Sequence, residues 1–161
     1  MGARPTLVIG VGHPDRGDDA AGRIVAARLK DIDPAGVRVV ETDGEAGKLL
    51  DLFDEANHVI IVDAGLSGAK PGTIHRLDAV TASLPRPMFA MSSHAIGLVE
   101  SIELARALGT LPARCLVIAI EAARFDLGAG LSPAVAGAIE RAVEVVLDEV
   151  RAEAPLCTNT A

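Results

Sequence analysis

The stretch GVGHPDRGDDAAG, Gly10 to Gly22, has the glycine punctuation of a phosphate-binding turn and follows the apolar run Thr6-Leu7-Val8-Ile9. It also carries three carboxylates, Asp15, Asp18 and Asp19, where a phosphate would lie. A dinucleotide fingerprint needs GxGxxG, with backbone N–H groups and a helix N-terminus facing the pyrophosphate. Gly10 and Gly12 fit that pattern, but the third position is Asp15, and Pro14 has no N–H to offer. Each carboxylate would repel a bound pyrophosphate by roughly a kcal/mol or more in a partly buried cleft. A cation is the natural guest. The competing structural role is helix capping by Asp18 or Asp19, which accounts for one of the acids and leaves the others.

Two further residues sit where ligands collect. Asp63 closes the apolar run His58 to Val62 and so falls at the carboxyl edge of a parallel sheet, the edge where open α/β folds bind their ligands. Asp19 follows the first strand to the same edge. His94, in SSHAIGL, stands at the start of a helical segment, as a helix-terminal histidine with a backbone hydrogen bond or as a ligand. Asp19, Asp63 and His94 form an O,O,N set suited to a borderline divalent ion such as zinc, nickel, cobalt or iron, and three protein ligands leave positions open for a substrate. This much defines a hydrolase or a metal-handling protein.

The elements that must position these residues follow from periodicity. Short β-branched runs alternate with helical patterns, the signature of βαβ units. Strands are predicted over Thr6 to Gly12, Val37 to Glu41, His58 to Asp63 and Arg114 to Glu121, with Thr73 to Leu77 as an antiparallel edge strand after Pro71-Gly72. Helices are predicted over Asp19 to Lys30, with Ile24, Ala27 and Arg28 one turn apart, and over Gly47 to Phe53, with Leu49, Leu50 and Phe53 inward. A third runs from caps at Ser92 or Ser93 to about Leu108, stopped by Gly109, with Leu98, Ile102 and Ala105 on one face. A last one begins with Ser132 as cap and Pro133 at its first position and turns Val135, Ile139, Val143, Val146 and Val150 inward. The sum is a three-layer α/β/α domain around a mostly parallel, twisted five-stranded sheet, residues 1–154, with a short flexible tail at 155–161.

Composition narrows the function classes. The 161 residues are half hydrophobic, enough for one core without disulfides. Against 22 acidic residues stand 15 basic ones, a formal charge of −7, with no basic cluster and no Trp or Tyr, which argues against nucleic acid and anionic membranes. Cys115 lies in an apolar run and Cys157 in the polar tail, without a CxxC motif, so both are read as free thiols in a reducing compartment. No signal peptide and no run of 18 apolar residues is present, and a cytoplasmic monomer is expected.

Four stretches, VIGVGHPDRGDDAAG, VIIVDAG, SSHAIGLVESIELARALGTLP and IEAARFDLGAGLSPAVAGAI, make the chain resemble the maturation endopeptidases of nickel-iron hydrogenases along nearly its whole length. The resemblance implies a phosphorylase/hydrolase-like α/β/α fold. It also implies an enzyme that removes a short C-terminal extension from the precursor of a hydrogenase large subunit, once nickel has been inserted. Nickel then belongs to the substrate, held by its thiolates, and no organic cofactor is expected. The family's metal-contacting and catalytic positions fall on Asp19, Asp63 and His94, with Asp63 or Asp19 as general base and His94 mainly as ligand. A metallohydrolase holding its own zinc and a non-enzymatic nickel checkpoint are the alternatives.

Two positions depart from the family pattern. His13 replaces the usual Asn, as a neutral substitute or an added ligand, and Ala20 replaces a Gly, which would be costly if the backbone there needed a positive φ. Glu121, with Arg124 nearby, is read either as a substrate contact or as a solvent-facing ion pair. Asp43 and Glu45 are expected to border the cleft, His75 to be exposed, and Met88 and Met91 to line a hydrophobic patch or pack in the core.

Overall fold

The computed structural model describes residues 4–91 and 96–153. Strands β1 (Thr6–Val11), β2 (Val37–Thr42), β3 (His58–Gly65), β4 (Ile74–Asp78) and β5 (Arg114–Glu121) form one sheet in the order β2-β1-β3-β5-β4. All pairings are parallel except β4 with β5, which is antiparallel at the edge. The helices are α1 (Ala21–Ile32), α2 (Ala46–Phe53), α3 (Leu98–Leu108), a single turn α4 (Pro133–Ala136) and α5 (Ile139–Glu153).

Strand alternation sorts the core into two layers. Leu7, Ile9, Val59, Ile61 and Val117 point to the face covered by α2, α3 and the 3-10 turn Arg86–Phe89. Val8, Ile60, Val62, Ile118 and Ile120 point to the opposite face, covered by α1, α4 and α5. The crossover after β1, through α1, thus runs over one face, and the connections after β2 and β4, through α2 and α3, run over the other. The crevice between the carboxyl ends of β1 and β3 is therefore the switch point where such sheets bind ligands.

Two glycines bring α1 onto that crevice. A Cβ on Gly22 would lie 2.2 Å from the Val62 carbonyl oxygen and 2.5 Å from that of Val11, and one on Gly10 would lie 2.4 Å from the Gly22 oxygen. No side chain fits between the helix and the strands, so the helix start sits directly against β1 and β3.

Several boundaries differ from expectation. The first helix begins as a 3-10 turn, Gly17–Ala20, and its buried stripe is Ala21, Val25, Ala26 and Leu29 rather than the one through Ala27 and Arg28, both exposed. In α2, Leu52 is buried with Leu49 and Phe53, while Leu50 is only partly covered. Helix α3 is capped at Gly97, whose N–H donates to Glu100 Oε2 at 3.2 Å, and it ends at Gly109 with φ +72. The proposed caps Ser92 and Ser93 lie outside the described residues. Ser132 does cap, accepting from the Val135 N–H, but the helix it starts is interrupted at Gly137-Ala138, where the Ala138 N–H turns back to Val135. Ile139, Val143 and Val146 face inward as expected, and Val150 is partly buried.

Burial pushes the Cys115 thiol up to about 12, which leaves it an inert core group. Cys157 and the rest of 154–161 lie outside the described residues. Among the described residues, no helix is long and apolar enough to cross a membrane.

Candidate active site

The three acids of the glycine turn have three different fates. Side chains of consecutive residues in a 3-10 turn point about a third of a turn apart, so neighbouring acids cannot share one target. Asp15 is exposed, its backbone N–H donating to His13 Nδ1 at 3.2 Å and its carbonyl accepting from Gly128 at 2.7 Å. Asp18 is fully buried and accepts four hydrogen bonds: from the N–H groups of Ala123, Arg124 and Ser132 at 2.8, 3.0 and 2.7 Å, and from the Ser132 hydroxyl at 2.9 Å. It anchors the loop after β5. Asp19 alone turns toward the switch-point crevice. Neither Asp18 nor Asp19 caps α1, whose N-cap, Ala20, has no side-chain partner.

Asp63 lies in β3 across the crevice. Both carboxylates are 9% exposed. Asp19 Oδ2 accepts from the His13 backbone N–H at 3.0 Å, and Asp63 Oδ1 accepts from the Ala64 N–H at 2.8 Å. Burial, and secondarily the charge of Asp19, push the Asp63 carboxyl well above the usual carboxylate range, against the opposing effect of the Ala64 hydrogen bond. The two acids share a cavity of about 20 Å³ with Asp43 on the polar side and Met88, Phe89 and Phe125 on the apolar side. That volume suits a water-sized guest.

Such a pair is poised for a cation. A buried acid whose neighbour is anionic is held protonated, and a positive ion between them removes the reason for the shift. Hard carboxylate oxygens also suit a borderline divalent ion. The donor chemistry is thus of a kind that fits a metal, to which Asp19 and Asp63 would offer two oxygens. Among the described residues, no group of three His, Cys, Asp or Glu side chains is arranged as a metal cage. His94, the third candidate, lies outside the described residues.

The other candidates resolve from contacts. His13 is half-exposed, with Nδ1 engaged by its own turn, and its backbone N–H is what orients Asp19. Ala20 has φ −73, so the missing glycine costs nothing there. Asp43 lines the cavity, with Oδ1 accepting from the Glu45 N–H at 3.1 Å, whereas Glu45 caps α2 through the Gly47 and Lys48 N–H groups.

Glu121 is not solvent-facing: it is 1% exposed, and its partners are the Ser67 N–H and hydroxyl, the Gly68 N–H and His75 Nε2 rather than Arg124. Burial works against its charge, but the hydrogen bonds from Ser67, His75 and Gly68 outweigh it and hold the carboxyl below its ordinary range. His75 is accordingly half-buried rather than exposed. Met88 is buried in the cavity wall, and Met91 lies at its more open end.

Sequence reasoning missed two roles, those of Asp18 as a loop anchor and of Arg16, described below. A usable signal for the first was the adjacency of Asp18 and Asp19, because the turn cannot aim both into one cleft.

Fold and site define an α/β/α enzyme with a buried acid pair at the switch point of its sheet. The family model of the hydrogenase maturation protease matches residues 24–149, a span that includes Asp63 and His94. The hydrogenase 2 maturation protease of Escherichia coli K12 is 36% identical over 152 residues, 90% of each chain. The hydrogenase expression/formation protein HupD of Rhodobacter capsulatus is 32% identical over 151 residues, covering 91% of this chain and 71% of that protein. The structure of the E. coli hydrogenase maturating endopeptidase HybD superposes with a TM-score of 0.74 at 26% identity, over 93% of this chain and 94% of that one. The chain belongs to the hydrogenase maturation protease family and is an endopeptidase of that class.

Proposed function

We propose that this endopeptidase removes a C-terminal extension from the precursor of a nickel-iron hydrogenase large subunit. Asp19 and Asp63, joined by His94, meet the nickel that the precursor carries. The observation that carries this reading is the pairing of two buried carboxylates on one cavity of about 20 Å³, with Asp63 pushed toward its neutral form. Two oxygens and a nitrogen complement an ion already held by the substrate's thiolates, and the shared ion fixes the scissile bond beside the acids. A precursor without nickel offers no bridging atom and leaves the acid pair uncompensated.

The acid pair also supplies the proton chemistry. When a cation reaches the cavity, Asp63 gives up its proton and becomes a carboxylate able to accept one from an attacking water. Asp19, fixed by the His13 N–H, stays as the oriented partner. Binding of the nickel-loaded precursor should therefore release a proton and weaken as pH falls.

The test is cleavage of purified precursor, with and without nickel, by the wild type and by Asp19→Asn, Asp63→Asn and His94→Ala. Trimming of the nickel-loaded precursor only, lost in all three variants, is the expected result. Cleavage regardless of precursor nickel would assign the metal to the enzyme and overturn the checkpoint. Binding without cleavage by the wild type would overturn the processing role.

A further inference from the structure

Arg16 touches both walls of the cavity from outside it. Its Nη1 donates to the Met91 carbonyl at 2.9 Å, and its guanidinium carbon lies 5.6 Å from the centroid of the Phe125 ring. Met91 lies two residues beyond the 3-10 segment that supplies Met88 and Phe89, and Phe125 belongs to the loop anchored by Asp18. The backbone of Arg16 belongs to the turn that carries Asp19: its N–H donates to the His13 carbonyl at 3.3 Å, and its carbonyl accepts from Asp19 at 3.1 Å. One side chain thus ties both segments to the turn that carries Asp19.

The rim it holds is apolar and open. Met91 is 44% exposed, and Leu127, two residues beyond Phe125 on the anchored loop, is 78% exposed. The loop cannot drift, because Gly17 donates to Ala129, Gly128 to Asp15 and Asp18 to Arg124, and a Cβ on Gly17 would meet the Arg124 oxygen at 2.9 Å. Met91 and Leu127 thus leave apolar surface exposed beside the cavity.

We propose that Arg16 is a positioning residue. By clasping Met91 and Phe125 it holds two walls of the cavity mouth in the arrangement that receives the precursor. The inference rests on the endopeptidase reading above. Arg16 does not touch the reacting atoms. Its effect is on substrate binding, through the two segments it joins.

The experiment is steady-state processing of nickel-loaded precursor by Arg16→Gln, Arg16→Lys, Phe125→Leu and the Arg16→Gln/Phe125→Leu double variant. Arg16→Gln should raise KM roughly threefold to tenfold with kcat within about twofold, the size expected for a lost cation–aromatic contact and charged hydrogen bond. Arg16→Lys, which keeps a cation, should fall between. Because Arg16 acts in part through Phe125, the double variant should lose less than the two single losses combined. A fall in kcat at constant KM, additive losses, or wild-type kinetics in Arg16→Gln would each overturn the proposal.

A second readout needs no substrate. In methyl and aromatic NMR of the isolated protein, Arg16→Gln should shift Met91 and Phe125 while the core methyls of Val25, Val62 and Ile118 stay in place. Unchanged Met91 and Phe125 signals would overturn the clasp. Failure of the wild type to cut any precursor would instead strike the endopeptidase reading.

Discussion

Replacing Asp63 by Asn should separate the stability of this protein from its activity. Asparagine keeps the size of the side chain and an oxygen for the Ala64 N–H, but it cannot ionise. In the native state Asp63 is buried beside Asp19 and its carboxyl lies well above the ordinary range, whereas in the unfolded chain it titrates near 3.9, roughly as free Asp does. Between those two values the folded state holds a proton that the unfolded state has released. The sign follows: stability falls as pH rises through that window, by up to about 1.4 kcal/mol per pH unit, and the loss is complete above the native value.

Asp63→Asn lacks this term, so its stability relative to the wild type should climb over the window and then level. For a chain of this size, each kcal/mol appears as about 2–4 °C in Tm. Urea and thermal unfolding at half-unit steps from pH 4.5 to 8, in the presence of a chelator, read the difference directly. Parallel curves for the two proteins would mean that Asp63 ionises normally, and the argument from the buried acid pair would fail. The same variant should have lost precursor cleavage.

Three further outcomes follow from the geometry. Asp18→Ala leaves three backbone donors and the Ser132 hydroxyl without their acceptor and should cost roughly 3 kcal/mol or more, read in urea unfolding and as new proteolytic cutting between residues 123 and 131. Gly22→Ala forces a Cβ to 2.2 Å from the Val62 oxygen and should lower stability by about 1–3 kcal/mol, with a matching fall in Tm. Glu121 has a lowered native value, so it contributes stability above its unfolded titration and loses it as pH falls through the native one. Glu121→Gln should therefore be least stable relative to the wild type near neutrality and approach it in acid, and a constant difference across pH would refute this.

Much of the fold is legible in the one-dimensional pattern. Fully apolar runs such as Val59 to Val62 leave no polar face, which demands layers on both sides of a parallel sheet, and Pro71-Gly72 before a short alternating run marks the antiparallel edge. The helix phase of α1 was less legible. Small residues surround Ile24 on several sides, and only contact with β1 and β3 selects Ala21, Val25 and Leu29 as the inner stripe. The break between α4 and α5 was hidden for a similar reason, because the apolar spacing from Val135 to Val146 runs straight through a turn made by Gly137.

The candidate site divides in the same way. Residue type and position were enough to point to Asp63 and to the acidic turn after β1, because acids at the far end of a parallel strand or just beyond it land at the carboxyl edge. Only the tertiary structure decided which of Asp15, Asp18 and Asp19 faces the cleft, that Glu121 is buried among donors from Ser67 and Gly68, and that Arg16 spans Met91 and Phe125. Apart from the His13 contact to Asp19, six residues away, those outcomes depend on partners 46 to 114 residues away in the chain. Local periodicity carries the direction of a side chain from its own element, whereas the donors and charges that meet it are set by how distant elements pack.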